Sequence, residues 1–324
     1  MAKILFLAQF APTDGKYIET QTLEDKFYAE TYHIKIYEIL KKYNYNFYST
    51  SDVKFLFNNY NNFDLVWSVY NRLGFRNSEV FIQSLCEYFG LSYIGAPPNI
   101  RALVEDKSMS KQLALNLGIK TANWVVASKQ FPLSAISPFN GPYFVKPRFG
   151  SASIDIDESC ICIDWNAVKK KAEQYFNNNI DIIVEEFING IYYGVPLMNK
   201  IENNILIATP HYQLSDKKGN ITTYKQKRFT EAGMFRYISR DENLNNMLVY
   251  YAKKFYLNIQ PCDYARIDFI VEKETGIPYF LEINVLMNLG TESGFVTSFL
   301  DNHFNSYDEI IKHILNLGIF KVKK

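Results

Sequence analysis

Through residues 1–95, apolar runs and amphipathic stretches take turns. Ile4-Leu-Phe-Leu7 is an unbroken apolar run, the pattern of a parallel strand buried on both faces. Beyond it, Leu23, Phe27, Ile36, Ile39 and Leu40 are spaced as one stripe of a helix. Residues 64–70 read as the next strand, 78–88 as a capped amphipathic helix and 91–95 as another strand. This alternation predicts an open α/β layer, in which ligands bind beyond the carboxyl ends of the strands. The loops after Phe10 and Tyr70 are therefore candidate substrate walls.

Pro97-Pro98 marks a boundary, with Asn99 expected to cap one helix that runs through 106–111 and closes at Gly118. Strands follow at 143–147 and 181–188, separated by a helix at 165–176, and 194–214 is expected to supply two more strands. Helices close the pattern at 241–257 and 307–317. The clearest alternation lies between Tyr264 and Asn284, on both sides of the turn Lys273-Glu-Thr-Gly276. Ile267, Phe269 and Val271 point one way, and Arg266 and Asp268 the other. On the return strand Glu282 and Asn284 share a face. A hairpin folded about Thr275 sets Asp268 opposite Glu282 and Arg266 opposite Asn284. Opposed side chains sit about 5 Å apart, close enough for two carboxylates and an amide oxygen to share one cation. Hard oxygen donors suit magnesium. An exposed hairpin face with an Arg–Asp pair is the equal alternative.

Composition narrows the classes. A chain of 324 residues can bury several cores, and its 48% hydrophobic and 21% charged content is that of a soluble globular protein. A net charge of +1 gives no reason to expect nucleic acid or an anionic membrane surface, and no apolar stretch approaches a membrane span. The four cysteines are sparse and no zinc spacing accompanies them, which fits a cytoplasmic chain with reduced thiols. Lys107 and Lys111 lie one turn apart, and a solvated basic edge is the commoner fate of such a pair. Lys146 ends a strand and precedes Gly150-Ser151-Ala-Ser153, where small residues would let backbone N–H groups approach phosphate, though such Gly-Ser loops between strands are usually only turns. Glu185, Glu186, Phe187 and Ile188 could wall an adenine slot or form an ordinary edge strand.

Arg266-Ile-Asp268 followed by Leu281-Glu-Ile-Asn284 resembles the metal-binding end of ATP-grasp enzymes, and more narrowly the D-alanine–D-alanine ligase family. The resemblance is loose to about Gly95 and then runs motif by motif to Gly290. It implies an ATP-grasp fold of mixed α/β and α+β class. An N-terminal α/β domain (1–97) would be followed by a central ATP-binding subdomain (98–190) and a C-terminal subdomain with the metal site (191–324). It also implies an ATP-dependent carboxylate–amine ligase working through an acyl phosphate on an amino acid or small peptide. Asp268, Glu282 and Asn284 would hold Mg2+, two ions in the family, with Mn2+ as an alternative. Lys111, Lys146, Gly150, Ser151 and Lys227 would meet ATP phosphates, and 185–188 the adenine. Tyr192 stands where the family has a ribose-binding glutamate. Arg266, Ser151 and Lys227 carry the implied catalytic roles.

Departures from the family pattern fall on the substrate side. Asn71 is nearest to the usual histidine, Arg228 replaces a tyrosine, and the loop holding Gly290 and Ser293 lacks the usual Pro-Gly. The partners implied are small carboxylate and amine substrates, with a homodimer left open. A plain D-alanine–D-alanine ligase and a nucleotide-binding regulator without catalysis are the two rival readings.

Overall fold

The computed structural model describes residues 2–70, 78–150, 155–201, 204–215 and 234–322. Three sheets follow one another along it. The first is built from β1 (Ile4–Leu7), α1 (Leu23–Tyr28), a π-helical turn at Ala29–His33, α2 (Ile34–Lys42), β2 (Phe47–Thr50), α3 (Lys54–Asn59), β3 (Leu65–Ser68), α4 (Phe81–Phe89) and β4 (Ser92–Tyr93). The strands are parallel in the order β2-β1-β3-β4. Every residue of β1 is buried, because Ile4 and Phe6 enter one core and Leu5 and Leu7 the other. That two-sided burial is the reason the run carries no polar residue.

Two helices, α5 (Pro98–Glu105) and α6 (Lys107–Asn116), stand where one was expected. Asp106 breaks the run: its backbone is extended, and its side chain accepts the Ser108 N–H at 2.9 Å as a cap. Asn99 caps nothing, since Pro97 holds the cap position and Pro98 starts the helix, where a missing N–H costs nothing. Gly118 does end the second helix, at φ +68°.

The second sheet contains β5 (Trp124–Ala127), β6 (Tyr143–Pro147), β7 (Ile161–Cys162) and β8 (Ile182–Glu186), antiparallel in the order β5-β8-β6-β7 and covered by α7 (Trp165–Asn177). The third contains β9 (Gly190–Asn199), β10 (Ile205–Ile207), β11 (His211–Ser215), β12 (Met234–Ile238), β13 (Tyr264–Glu272) and β14 (Pro278–Asn284). The segment 194–214 thus holds parts of three strands rather than two. The order is β12-β11-β9-β13-β14, with β10 beside β9. One face, with Val195, Leu197, Ala265, Ile267, Phe269 and Ile283, packs on Leu248, Ala252 and Phe255 of α8 (Glu242–Leu257). Helix α9 (Gly294–Asn302) contacts β9 and β12. Helix α10 (Tyr307–Val322) returns to the first core through Ile310, Ile311, Ile314 and Leu315.

Candidate active site

The hairpin pairs as its alternation predicts. Arg266 lies opposite Asn284 and Asp268 opposite Glu282. Between Asp268 and Phe269 the register shifts, so that Phe269 meets Phe280. The irregularity at Leu281 moves the turn half by one residue and leaves the polar half in place.

Because opposed residues share a face, the register extends this polar face across the sheet. One row reads Glu282, Asp268, Gly194, His211, and the next reads Ile270, Tyr192, Gln213, Arg236. Asp268 is fully buried and accepts a fork from Arg266, at 2.7 Å from Nε and 2.8 Å from Nη2. Burial pushes the Asp268 carboxyl up, Arg266 opposes this, and Glu282 adds to it. Burial also works against the charge of Arg266, but Asp268, Tyr192 and Glu282 outweigh it and hold the guanidinium firmly protonated. The Asn284 amide nitrogen donates to Asp268 at 2.9 Å and approaches Glu282 at 3.4 Å. Two carboxylates and one amide therefore converge on one point.

His211 is buried beneath α9, with Nδ1 3.1 Å from the Ser298 hydroxyl. Burial, Arg266 and Arg236 all depress its pKa, so the imidazole is neutral. It fills space that two glycines leave open. A Cβ on Gly194 would lie 2.6 Å from its Cε1, and one on Gly294 would overlap Nε2.

Facing the β14 edge is a group of lysines. Lys111 and Lys146 are 0% and 3% exposed and share Glu185, at 3.2 and 2.9 Å. Burial raises the Glu185 carboxyl, but the two ammonium groups overcome it and hold it below its ordinary range. Lys111 also donates to Thr121, whose hydroxyl donates to the Phe280 carbonyl, which ties the group to β14. Asp106 forks with Arg148 at 3.0 and 2.6 Å, and this clamp brings Gly150 over the start of α6. There Lys107 donates to the Gly150 carbonyl. Lys107, Gly150, Glu282 and Asn284 line one shallow cleft. Sequence reasoning ranked Lys111 above Lys107, yet both are buried rather than on a solvated edge. The extended Asp106 cap, which turns the new helix inward, was the signal available.

The other expected residues are placed as follows. Glu186 accepts from the Asn123 amide at 2.9 Å, and the Phe187 N–H donates to the Pro142 carbonyl. Ile188 follows on the same segment, which is half-buried. Tyr192 turns its ring into the polar face, with the Arg266 guanidinium 6.0 Å from the ring centre. Ser293 caps α9 through Val296, and Gly290 packs against Thr31 of the π-helical turn. Asn71, Ser151, Lys227 and Arg228 lie outside the described residues.

Burial drives the Lys107 ammonium down to about 8, with Glu282 opposing and Lys146 assisting. Between pH 8 and the ordinary lysine value of 10.5 the folded protein therefore holds less proton here than the unfolded chain. Stability is expected to rise with pH across that window, by roughly 3 kcal/mol from this group. Urea unfolding at pH 7.5 and pH 10 should show that Lys107→Met loses most of the wild-type rise. Equal rises in both proteins would show that Lys107 is not desolvated.

The fold and the family match make this an ATP-grasp enzyme of the carbon–nitrogen ligase class. The chain belongs to the D-ala D-ala ligase C-terminus family, whose model matches residues 112–316. A D-alanine–D-alanine ligase of Clostridium botulinum (strain 657 / Type Ba4) is 26% identical over 219 residues, 67% of this chain and 69% of that protein. One from Clostridium perfringens (strain SM101 / Type A) is 25% identical over 242 residues, 74% and 75% of the two chains. Among solved structures, the Bacillus anthracis D-alanine–D-alanine ligase complexed with ATP aligns with a TM-score of 0.75 at 17% identity, covering 100% of this chain and 99% of that one. The VanG D-Ala:D-Ser ligase of Enterococcus faecalis aligns at 0.72 and 16%, covering 98% and 99%.

Proposed function

We propose that the protein joins the carboxylate of one amino acid or small peptide to the amine of another, using ATP to form an acyl phosphate. The observation that carries this reading is the convergence of Asp268, Glu282 and Asn284 beside Arg266, on a face whose β14 edge meets three buried lysines. The substrate carboxylate oxygen would attack the γ-phosphorus and release ADP. The amine nitrogen would then attack the acyl carbon, lose a proton and expel phosphate.

Such transfer depends on positioning and charge neutralisation. Lys107, Lys111 and Lys146 would meet phosphate oxygens, and Lys227 and Ser151 are proposed to join them. Arg266, kept cationic by Asp268, would offset charge on the transferred group and on the tetrahedral intermediate. The donor set suits magnesium: the point where the two carboxylates meet now receives the Asn284 N–H, and turning that amide presents its oxygen instead. Among the described residues no cluster of three His, Cys, Asp or Glu side chains could hold a metal alone. Asp268 and Glu282, with the Asn284 amide, would be the residues that hold magnesium. When bound there it would supply positive charge against the phosphates.

Residues 1–97, 98–190 and 191–324 are taken as the substrate-side, ATP-binding and metal-bearing domains, each containing one of the three sheets. The four free, buried cysteines favour a reducing cytoplasm, and a homodimer is compatible with this reading. No described helix is long and apolar enough to cross a membrane.

The names of the relatives make the joining of two D-alanines the second reading. The test is ADP release with ATP and magnesium, using D-alanine alone against a panel of mixed amino acids and small peptides, with products identified by mass spectrometry. ADP in step with a mixed amide is the expected result. Robust turnover with D-alanine alone would select the second reading. ATP binding without ADP formation on any substrate would leave only a nucleotide-binding regulator.

A further inference from the structure

Where the first sheet meets the third, a buried positive charge is left without a counter-charge. Arg101, on α5, is 2% exposed. Its Nε donates to the Ala96 carbonyl at 3.1 Å and its Nη1 to the Glu79 carbonyl at 3.3 Å, while Nη2 is buried with no hydrogen-bond partner. Among the described residues no carboxylate forms an ion pair with it, and the charge of Glu79 supports it only from a distance. Residues 71–77, which lead into the turn Ser78–Val80, contain no Asp or Glu. Asp263 is committed elsewhere, to the Gly95 N–H at 2.6 Å and to Lys321 at 2.7 Å.

Two more polar atoms end in the same place. Trp67 Nε1, from β3, and the Tyr264 hydroxyl, from the start of β13, are both buried and unpartnered. Burial pushes the Tyr264 phenol up to about 12, against the pull of Arg101, so it keeps its proton and supplies no negative charge. Gly95 draws the three residues together. Its N–H bonds Asp263, next to Tyr264, and the Ile94 N–H donates to the carbonyl of Val66, next to Trp67, at 3.0 Å. A Cβ on Gly95 would lie 2.8 Å from Arg101 Nη2, so this glycine, at φ +112°, leaves that nitrogen its open side.

Water and an anion would answer this arrangement differently. The guanidinium and the indole are donors only, and the phenol can donate as well. A water accepts two such bonds, must place two hydrogens of its own, and leaves the charge uncompensated. A buried charge is costly unless it is paired, and a small anion accepts from all three groups while cancelling it.

We propose that Arg101, Trp67 and Tyr264 form an internal site for a small monovalent inorganic anion of the size of chloride, which ties α5 to the first and third sheets. The enclosure of all three side chains leaves no path for a phosphate ester or an organic acid. The site is separate from the cleft bordered by Lys107 and Glu282, and it does not depend on the ligase reading.

Thermal unfolding tests it in wild type and Arg101→Met, each exchanged into sodium gluconate and titrated with sodium chloride at constant total sodium. Wild type is expected to gain roughly 2–4 °C in Tm along a saturating curve, and Arg101→Met, with no charge to neutralise, less than about 1 °C. Trp67→Phe keeps the charge but loses one donor, so it should need about tenfold more chloride for half its gain. That variant carries the comparison if Arg101→Met does not fold. Crystals soaked in sodium bromide should show an anomalous-scattering peak within hydrogen-bond reach of Arg101 Nη2 and Trp67 Nε1. Chloride responses equal in wild type and variant, or bromide crystals with only water beside Arg101, would each overturn the site. ATP turnover does not enter the comparison, so a failure here leaves the ligase reading standing, and the reverse holds too.

Discussion

Glu282→Gln is expected to lower ligation by at least about 10²- to 10³-fold while the protein still folds. Glu282 is only partly buried, and its charge faces the point shared with Asp268 and Asn284. Removing that charge weakens the hold on any cation placed there and takes away the carboxylate that most favours the buried Lys107 ammonium. Asp268→Asn is expected to do two things at once. It should abolish activity to a similar degree and also cost on the order of 3–5 kcal/mol, because Arg266 then keeps its charge in a buried place without the carboxylate that forks it. Coupled ADP assays give the first quantity and urea unfolding the second. Near-wild-type turnover in the Glu282 variant would take the hairpin out of the active site. Unchanged stability in the Asp268 variant would mean that Arg266 finds another partner.

The second large effect concerns Glu185→Gln. Two buried ammonium groups depend on this one carboxylate, so its loss is expected to destabilise the protein by about 3–5 kcal/mol. Saturating ATP should restore more stability to this variant than to wild type, because phosphate oxygens then supply the missing counter-charge. The acid limb adds a second reading. The folded-state pKa of Glu185 lies below its ordinary 4.5, so its contribution is present above that value and is lost as pH falls through the folded value. Between those two values the wild type should lose stability more steeply than the variant. A variant as stable as wild type, with no larger gain from ATP, would show that Lys111 and Lys146 are satisfied by other means and do not face the nucleotide.

Much of the architecture was legible along the chain. The unbroken run Ile4–Leu7 could only belong to a strand covered on both sides, and the core on each face accounts for every residue of it. Gly118 closed its helix because a left-handed residue was needed there. The pairing of Asp268 with Glu282 followed from a period of two residues and the place of a turn, both of which are local properties. The strands at 194–214 were miscounted, since a continuous polar and apolar mixture does not reveal where short strands bend apart.

What escaped was set by contacts between distant segments. The break at Asp106 depends on Arg148, which reaches it from the end of β6, and nothing beside Asp106 in the chain announces that partner. Lys107 and Lys111 looked like a solvated edge, because helical spacing gives a common face but not what covers it. Glu185, supplied by β8, decides that both Lys111 and Lys146 can stay buried. The shift at Leu281 is invisible to alternation, since one extra residue leaves every apolar position plausible. Arg236 carried no signal at all: its place on the polar face arises only when β12, β11 and β9 align their polar side chains. Periodicity fixes which way a side chain points from its own strand or helix, while the charge, partner and burial it meets are supplied by segments that only folding brings beside it.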